Sequence, residues 1–206
     1  MTEVKSFHGI ERILILGHTG FIGSSLEKYF KTHEPSIEIL GFSSSLVDLT
    51  NEKEVPKLKK FLDLNTAVVM CSTLKKEKGD TLDSYLQNLR MTANLCYLLE
   101  EHPIKRFIYF SSTAVYGEDI HNTRISEATP VHPTSYYGIA KYSSECLFRK
   151  VIDAQKESTL LILRPPLIYG PEDKGTSYGP VGFSKKIAGG ESITLWGDGT
   201  EQREFI

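Results

Sequence analysis

Five short runs of almost continuously apolar residues constrain the fold of this chain more than any other feature. Between them, apolar residues recur at helical spacing, so strand and helix alternate along the sequence. Strands that are apolar throughout are typical of a parallel sheet buried on both faces, with helices as cover. The sequence therefore predicts an α/β fold with a doubly wound parallel sheet. The five runs are ILILG (13–17), IEILGF (37–42), AVVMC (67–71), RFIYF (106–110) and TLLIL (159–163).

Two long helices are predicted, one over roughly 81–101 and one that starts near Ser135 and reaches about 155. A weaker helical pattern covers 55–62. After Pro171 the composition shifts to Gly, Pro, Lys and Ser, which predicts a loop-rich lobe above the sheet. The first helix is marked by Leu82, Leu86, Leu89, Ala93, Cys96 and Tyr97. On the second, the residues expected to face the core are Ile139, Tyr142, Cys146 and Val151.

Composition narrows the class of partner. The 206 residues are 40% apolar and 24% charged, with a net charge of -2, which suits a globular domain with a real core. Interleaved charges favour neither nucleic acid nor an anionic membrane. No segment predicts a membrane span or a secretory signal, so the expected location is cytoplasmic. Three cysteines embedded in apolar runs indicate reduced core thiols, not disulfides or a metal site.

The heptapeptide GHTGFIG (17–23) joins the first strand to the first helix. Its glycines permit a tight turn, a close backbone approach to a pyrophosphate and close packing of helix on strand, while the helix N-terminus attracts anions. The spacing is GxxGxxG, not the commoner GxGxxG, and a glycine turn without ligand remains the alternative. A P-loop is excluded because no Gly-Lys-Ser/Thr follows.

The second strand ends in GFSSS (41–45), where dinucleotide sites usually carry an acidic residue that binds the adenosine ribose. Without a carboxylate to repel a 2′-phosphate, Ser43 and Ser44 leave NADP possible beside NAD. Asp48 is a candidate for the adenine amino group. A simple solvated turn is the alternative interpretation of these serines.

Candidate catalytic residues follow in the second half of the chain. Tyr137 and Lys141 stand four residues apart and share a helix face, so the ammonium can lower the pKa of the phenol. Ser112 follows the RFIYF strand, at the carboxyl edge where parallel sheets bind ligands, and its hydroxyl can orient a substrate oxygen. A Tyr-xxx-Lys pair also occurs by chance, and strand-end serines also cap backbone groups.

Taken in order, these segments resemble the NAD(P)-dependent epimerase/dehydratase family of extended short-chain dehydrogenase/reductases, whose members act on nucleotide sugars. The resemblance implies a Rossmann-type NAD(P)-binding domain at 1–170 and a partial substrate lobe at 171–206. It rests on GHTGFIG, NLRMTANL (88–95), FSSTAVYG (110–117), YGIAK (137–141), LRPPLIYGP (163–171) and GDGTEQREF (197–205). The predicted cofactor-binding residues are Gly17, Thr19, Gly20, Phe21, Ile22, Gly23, Ser43, Ser44, Asp48, Asn88, Tyr137 and Lys141; those for substrate are Ser112, Thr113 and Arg203; those for catalysis are Ser112, Tyr137 and Lys141.

The implied reaction is hydride transfer between a sugar carbon and the nicotinamide of NAD or NADP, with Tyr137 moving the hydroxyl proton. Thr113 is followed by Ala114 where the family's dehydratases carry an acidic pair, which disfavours a 4,6-dehydratase. Leu167 replaces an asparagine that contacts the nucleotide diphosphate. Family members continue beyond the segment at Arg203, so the chain is expected to be C-terminally truncated, and its two long helices are expected to form a homodimer.

Two other hypotheses remain open from the sequence. One is a non-catalytic NAD(P)-binding module that senses redox state and signals through a protein partner. The other is a reductase of a carbonyl compound that is not nucleotide-linked, which the leucine at position 167 favours.

Overall fold

Strands and helices alternate as the sequence predicts. The computed structural model describes residues 9–76, 79–117, 124–170, 172–173, 179–194 and 205–206. The strands are β1 (Arg12–Leu16), β2 (Glu38–Phe42), β3 (Thr66–Met70), β4 (Arg106–Phe110) and β5 (Thr159–Leu163). The helices are α1 (Phe21–His33), α2 (Leu82–Glu101), α3 (Tyr136–Ile152) and α4 (Gly179–Ala188). Short 3-10 helices cover Val55–Phe61 and Thr113–Tyr116.

The five strands form one parallel sheet in the order β2-β1-β3-β4-β5. β1 pairs on both sides, with Leu16 opposite Phe42 of β2 and Met70 of β3. The chain thus reverses its direction of travel across the sheet between β1 and β3. Ligands of open parallel sheets bind at such a reversal, outside the carboxyl ends of the strands. This edge positions the candidate site described below.

The central strands β1 and β3 are covered on both faces, which explains why they are apolar after their first residue. Leu14, Leu16 and Phe107 point into a core shared with α2 and α3. Ile13 and Ile15 of the same strand point to the other side, where α1 packs. A strand buried on both sides has no solvent-facing register, so alternation disappears from its sequence. The predicted α/β fold is confirmed.

The predicted inward face of α3 is largely wrong, and several of the apolar residues that mark α2 also face solvent. On α2, Leu82, Leu86 and Tyr97 are exposed, Tyr97 to 70%, and on α3 Ile139 and Tyr142 are each 38% exposed. The buried face of α3 instead carries small and polar side chains in its first half and larger apolar ones in its second half. The buried residues of α3 are Gly138, Ala140, Lys141, Ser144, Glu145, Phe148, Val151 and Ile152, so that of the predicted set on this helix Val151 alone is buried.

A buried hydrogen bond joins the two long helices. Thr92 Oγ1 of α2 lies 2.7 Å from Ser144 Oγ of α3, and Ser144 Oγ also donates to the carbonyl of Ala140. Small hydroxyl side chains allow the two backbones to approach, while a large apolar residue at either position would separate them. Leu82, Leu86 and Ile139 lie on the outer faces of the pair, whereas other large apolar residues of the two helices, such as Leu95 and Phe148, stay buried.

Two smaller elements also differ from expectation. The weak pattern at 55–62 forms a 3-10 helix with Pro56 in its first turn, and α4 lies in the stretch predicted to be loop-rich. Within the described ranges, no helix has both the length and the apolar character needed to cross a membrane. In that same part of the chain, no three His, Cys, Asp or Glu side chains are grouped in a way that would hold a metal ion.

Candidate functional site

The glycine turn at the end of β1 is built in a conformation that requires glycine at its first position. Gly17 has φ +87°, and a Cβ added there would lie 2.8 Å from the backbone nitrogen of Ser72. Its N–H donates to the carbonyl of Phe42 at 2.8 Å, which ties the turn to the end of β2. Positive φ and crowding together exclude a side chain at this position.

The third glycine brings α1 against the turn. A Cβ on Gly23 would overlap the carbonyl oxygen of Gly17 and lie 2.7 Å from His18 Cα. Gly20 is the N-cap of α1, and a Cβ there would meet only the Gly17 carbonyl oxygen, at 3.3 Å. The sequence interpretation of these glycines thus agrees with the geometry: the first shapes the turn and the third permits packing.

The start of α1 is suited to an anion. The first N–H groups of a helix have no intrahelical acceptor, and they carry the positive end of the helix dipole. The first turn, with Phe21 and Ile22, contains no acidic side chain that would compete with a ligand. A helix start of this kind, placed directly after a tight glycine turn, can bind a diphosphate group.

Beyond β2, two of the three predicted adenosine-binding residues are hydrogen-bonded to residues near them in the chain. Ser43 Oγ lies 2.8 Å from Ser45 Oγ, and Ser44 is exposed. The Asp48 carboxylate accepts hydrogen bonds from the backbone nitrogen and the hydroxyl of Thr50, at 2.9 and 2.8 Å. Asp48 therefore stabilises its own turn, and its predicted contact with adenine stays a prediction.

Lys141 lies buried beside the phenol ring of Tyr137. The two residues occupy successive turns of α3, and Lys141 Nζ is 5.6 Å from the centre of the Tyr137 ring. The ammonium donates to the carbonyl of Phe110, the last residue of β4, at 2.7 Å. Burial lowers the pKa of Lys141 to about 8, an effect that Cys71 and Glu145 partly oppose. Below that pH the amine is mostly protonated, next to the phenol.

Ser112 lies at the carboxyl end of β4 and begins the 3-10 helix that follows. Its hydroxyl accepts from the backbone nitrogen of Ala114 at 3.1 Å, and Thr113 N donates to the carbonyl of Pro165. This segment contacts the start of α3 directly, because a Cβ on Gly138 would lie 2.5 Å from the Ala114 carbonyl oxygen. The glycine after Tyr137 thus brings the serine segment and the Tyr-xxx-Lys helix together.

A buried ion pair, which the sequence interpretation missed, holds the same segment at both ends. Glu145 is 2% exposed, and its carboxylate receives Nε and Nη2 of Arg164 at 2.9 and 2.6 Å. Ser111 Oγ also donates to Glu145, while Arg164 Nη1 donates to the Tyr116 hydroxyl at 2.8 Å. The bond to Glu145 raises the pKa of Arg164 further above its already high value. One signal was visible: a glutamate four residues after Lys141, on the same helix face.

Two further residues position the site, one in the loop before α2 and one in α2 itself. Asp80 of the loop accepts hydrogen bonds from the backbone nitrogens of Tyr137, at 2.9 Å, and Tyr136, at 3.3 Å. Asn88 of α2 holds the first part of this loop, because its Oδ1 accepts from Leu74 N at 2.8 Å and its Nδ2 donates to Leu74 O at 3.1 Å. The predicted contact of Asn88 with the cofactor stays a prediction. Arg203 lies outside the described residues.

Comparison with known proteins identifies the family. The model of the NAD dependent epimerase/dehydratase family matches residues 13–206. The chain is 27% identical over 201 residues to N-acetyl-alpha-D-glucosaminyl-diphospho-ditrans,octacis-undecaprenol 4-epimerase of Escherichia coli O157:H7, covering 95% of this chain and 59% of that protein. It is 25% identical over 236 residues to UDP-glucose 4-epimerase of Dictyostelium discoideum, covering 95% of this chain and 68% of that protein.

A solved structure shows the same fold. The Thermus thermophilus UDP-glucose 4-epimerase, in complex with NAD, superimposes with a TM-score of 0.79 over 95% of this chain and 70% of its own, at 22% identity. At that identity the structural similarity shows a shared fold and nothing more. The family match covers both halves of the site described above, from the strand that enters the glycine turn to the last residue. The chain belongs to the NAD-dependent epimerase/dehydratase family.

Proposed function

We propose that the protein is an NAD(P)-dependent epimerase or reductase that acts on a nucleotide-activated sugar. The observation that carries the proposal is the buried Lys141 ammonium, 5.6 Å from the centre of the Tyr137 ring, in the helix that packs on the Ser112 segment. Family membership and the glycine turn supply the second half of the argument. Residues 171–206 are proposed to be part of the substrate lobe, and the proposed location is the cytoplasm.

The residues at this edge divide the chemistry between them. The dinucleotide, held at the glycine turn, would supply the hydride-transfer chemistry at the sugar carbon. Tyr137 takes the hydroxyl proton as the carbonyl forms and gives it back in the reverse direction. The Lys141 ammonium stabilises the phenolate, since an adjacent cation favours the charged form of an acid. Ser112 orients the substrate oxygen by a hydrogen bond.

The glycine turn and the start of α1 are proposed to hold the diphosphate of the dinucleotide. The tight turn at Gly17 and the close packing of Gly23 on it bring the start of α1 to the end of β1, and the backbone N–H groups at the start of that helix support this assignment. Both are features of this chain and do not depend on its substrate.

Replacement of Tyr137 by phenylalanine tests the catalytic assignment. The variant keeps the ring and loses the proton donor, so turnover of UDP-glucose should fall about 10²- to 10⁴-fold while the dissociation constant for NAD stays the same. Tyr136→Phe is the matched control, because Tyr136 is exposed and adjacent in sequence. A fully active Tyr137→Phe would refute the proposal.

The released nucleotide distinguishes epimerase from reductase. The purified protein is denatured and any dinucleotide set free is identified by mass. Retained NAD indicates an epimerase that recycles its cofactor on one substrate, whereas an empty site that NADPH fills indicates a reductase. Binding of NAD(P) without hydride exchange on any sugar nucleotide would instead favour a sensor module.

A sugar carried on a different diphosphate is a second candidate substrate. The Escherichia coli relative is named for a sugar on a polyprenyl diphosphate, and Leu167 removes an amide from the segment implied to contact the nucleotide. Epimerisation of an undecaprenyl-diphosphate sugar, together with no activity on UDP sugars, would favour this candidate.

A homodimer through α2 and α3 is part of the proposal. Their outer faces carry a stripe of exposed apolar side chains at helical spacing, and Tyr97 is exposed to 70%. Leu86→Glu should shift the protein toward monomer in analytical ultracentrifugation, since it places a charge within the stripe. Leu46→Glu, at an exposed leucine outside these helices, is the control. The residues of the stripe are Leu82, Leu86, Tyr97, Ile139, Tyr142 and Leu147.

A further inference from the structure

Near the end of β2, the imidazole of His18 occupies the space that a side chain at position 41 would need. A Cβ added to Gly41 would overlap this ring, with His18 Cγ at 2.5 Å and His18 Cβ at 2.9 Å. Gly41 is not among the glycines with positive φ, so its backbone would accept any residue. With the ring in this position, contact with His18 and not backbone strain opposes a side chain there.

The His18 ring is held in place from α1. His18 Nδ1 lies 2.8 Å from Glu27 Oε2, and the other carboxylate oxygen accepts from Lys31 Nζ at 2.7 Å. The hydrogen bond from Lys31 and, to a smaller extent, the one from His18 lower the pKa of Glu27, so the carboxylate is ionised at neutral pH. An ionised carboxylate only accepts, so Nδ1 carries the hydrogen. Both side chains of the His18–Glu27 pair are about four-fifths buried, at 23% and 21% exposure.

This ring lies at the edge of the sheet where dinucleotide-binding proteins of this topology contact the adenosine ribose. It follows Gly17 at the carboxyl end of β1 and rests on Gly41 near the carboxyl end of β2. In such sites an acidic residue on β2 binds the ribose hydroxyls and excludes a 2′-phosphate by like charge. The second ring nitrogen of His18, Nε2, accepts a hydroxyl hydrogen when neutral and donates to a phosphate when protonated.

We propose that His18, positioned by Glu27, replaces the carboxylate of β2 as the contact for the adenosine ribose and makes the site accept both NAD and NADP. The inference rests on the proposed function, since it concerns the cofactor of that same site. The Glu27 carboxylate does not exclude the phosphate, because Lys31 and His18 both hydrogen-bond to that carboxylate and offset its charge. Ser43 and Ser44, at the end of the same strand, add hydroxyl groups to the ribose end of the site.

A reciprocal exchange tests this role. His18→Gly combined with Gly41→Asp moves the polar side chain from the turn back to β2 and removes the overlap. Dissociation constants for NAD and NADP are measured by titration calorimetry, without any turnover assay. We expect wild type to bind both, and the double variant to weaken NADP at least about 10-fold relative to NAD.

Four single variants make the result interpretable. Gly41→Asp alone should weaken both dinucleotides, because its side chain meets the His18 ring. His18→Gln should retain more NAD affinity than His18→Ala, since an amide can replace the ring's hydrogen bonds. Lys28→Gln, at an exposed lysine on α1 that pairs with Glu172, is the surface control and should change neither constant.

The outcomes separate the two proposals. A wild type that binds neither dinucleotide overturns the proposed function and this inference with it. If the wild type binds, and the reciprocal exchange leaves the ratio of the NAD and NADP dissociation constants unchanged, only the role of His18 is overturned. Circular dichroism of each variant checks that the fold is retained.

Discussion

The buried pair of Glu145 and Arg164 allows a quantitative prediction for Glu145→Gln. The variant keeps the shape of the side chain and one acceptor for Ser111, but it leaves the guanidinium without its counter-charge. Removal of one partner of a buried ion pair costs about 3–5 kcal/mol. Because the Arg164 side chain retains 19% exposure, water solvates part of the charge left behind, and we expect the lower end, about 3 kcal/mol.

Urea unfolding followed by circular dichroism measures this loss. For a domain of this size, about 3 kcal/mol corresponds to a fall in melting temperature of about 6–12 °C. The double variant Glu145→Gln with Arg164→Met leaves no unpaired charge. Its loss in free energy of unfolding should therefore be smaller, by at least about 1 kcal/mol, than the losses of the two single variants added together. Lys28→Gln, which breaks an exposed pair with Glu172, should leave the midpoint unchanged.

The reasoning is refuted if Glu145→Gln loses less than about 1 kcal/mol, the range of exposed pairs. It is also refuted if the double variant loses as much as the two single losses added together, since the two charges would then act independently. A loss of the expected size would show that the Ser111–Tyr116 segment depends on a charge carried by the helix of Tyr137.

Three further predictions follow from the site. Lys141 has a pKa of about 8 in the folded protein against the ordinary value of 10.5, so between these values the unfolded chain binds more protons and the free energy of unfolding should rise with pH, by about 3 kcal/mol in all. In Lys141→Met this rise should be absent from urea titrations at pH 7 to 10. An equal rise in both proteins would contradict the prediction. Gly23→Ala should lower the free energy of unfolding by about 1–3 kcal/mol, because the added methyl group meets backbone atoms, whereas Gly20→Ala should cost less. Urea midpoints and NAD affinities measured for both variants therefore distinguish a loss of packing from a loss of cofactor binding. Asp80→Ala should cost about 1 kcal/mol and speed hydrogen exchange at the Tyr137 amide, since it removes a cap from α3; unchanged exchange would argue against that role.

The strands and the glycine turn were predictable because their sequence signals are local. A strand covered on both faces must be apolar at every position, and Ile13 to Leu16 show this directly. The turn at Gly17 requires positive φ, and that requirement leaves a glycine in the sequence. The pairing of Tyr137 with Lys141 is equally local, since helical spacing alone brings them to one face.

The buried faces of α2 and α3 were not predictable in the same way. Periodicity locates an apolar stripe but does not say whether the stripe packs within the monomer. In α3 the monomer buries Lys141, Ser144 and Glu145, which a hydrophobicity pattern assigns to solvent. Each of them has a partner from another element: Phe110 of β4, Thr92 of α2 and Arg164 after β5. Such long-range pairing decides burial here, and a linear pattern does not record it.

The relation between His18 and Gly41 has the same origin. The two residues are 23 positions apart, and each alone is unremarkable in the sequence. Only the parallel pairing of β1 with β2 brings the imidazole onto the glycine. The missing carboxylate was visible in the sequence, whereas the residue that takes its space was not.

The division of α3 into two unlike sides has a practical consequence for engineering. Tyr137, Lys141 and Glu145 recur every four residues along one side, while Ile139 and Tyr142 project from the other. Changes to the outward side chains therefore leave the inward row and its hydrogen bonds in place. The proposed assembly and the proposed chemistry can thus be tested independently on a single helix, and we expect variants of the two kinds to combine with nearly additive effects.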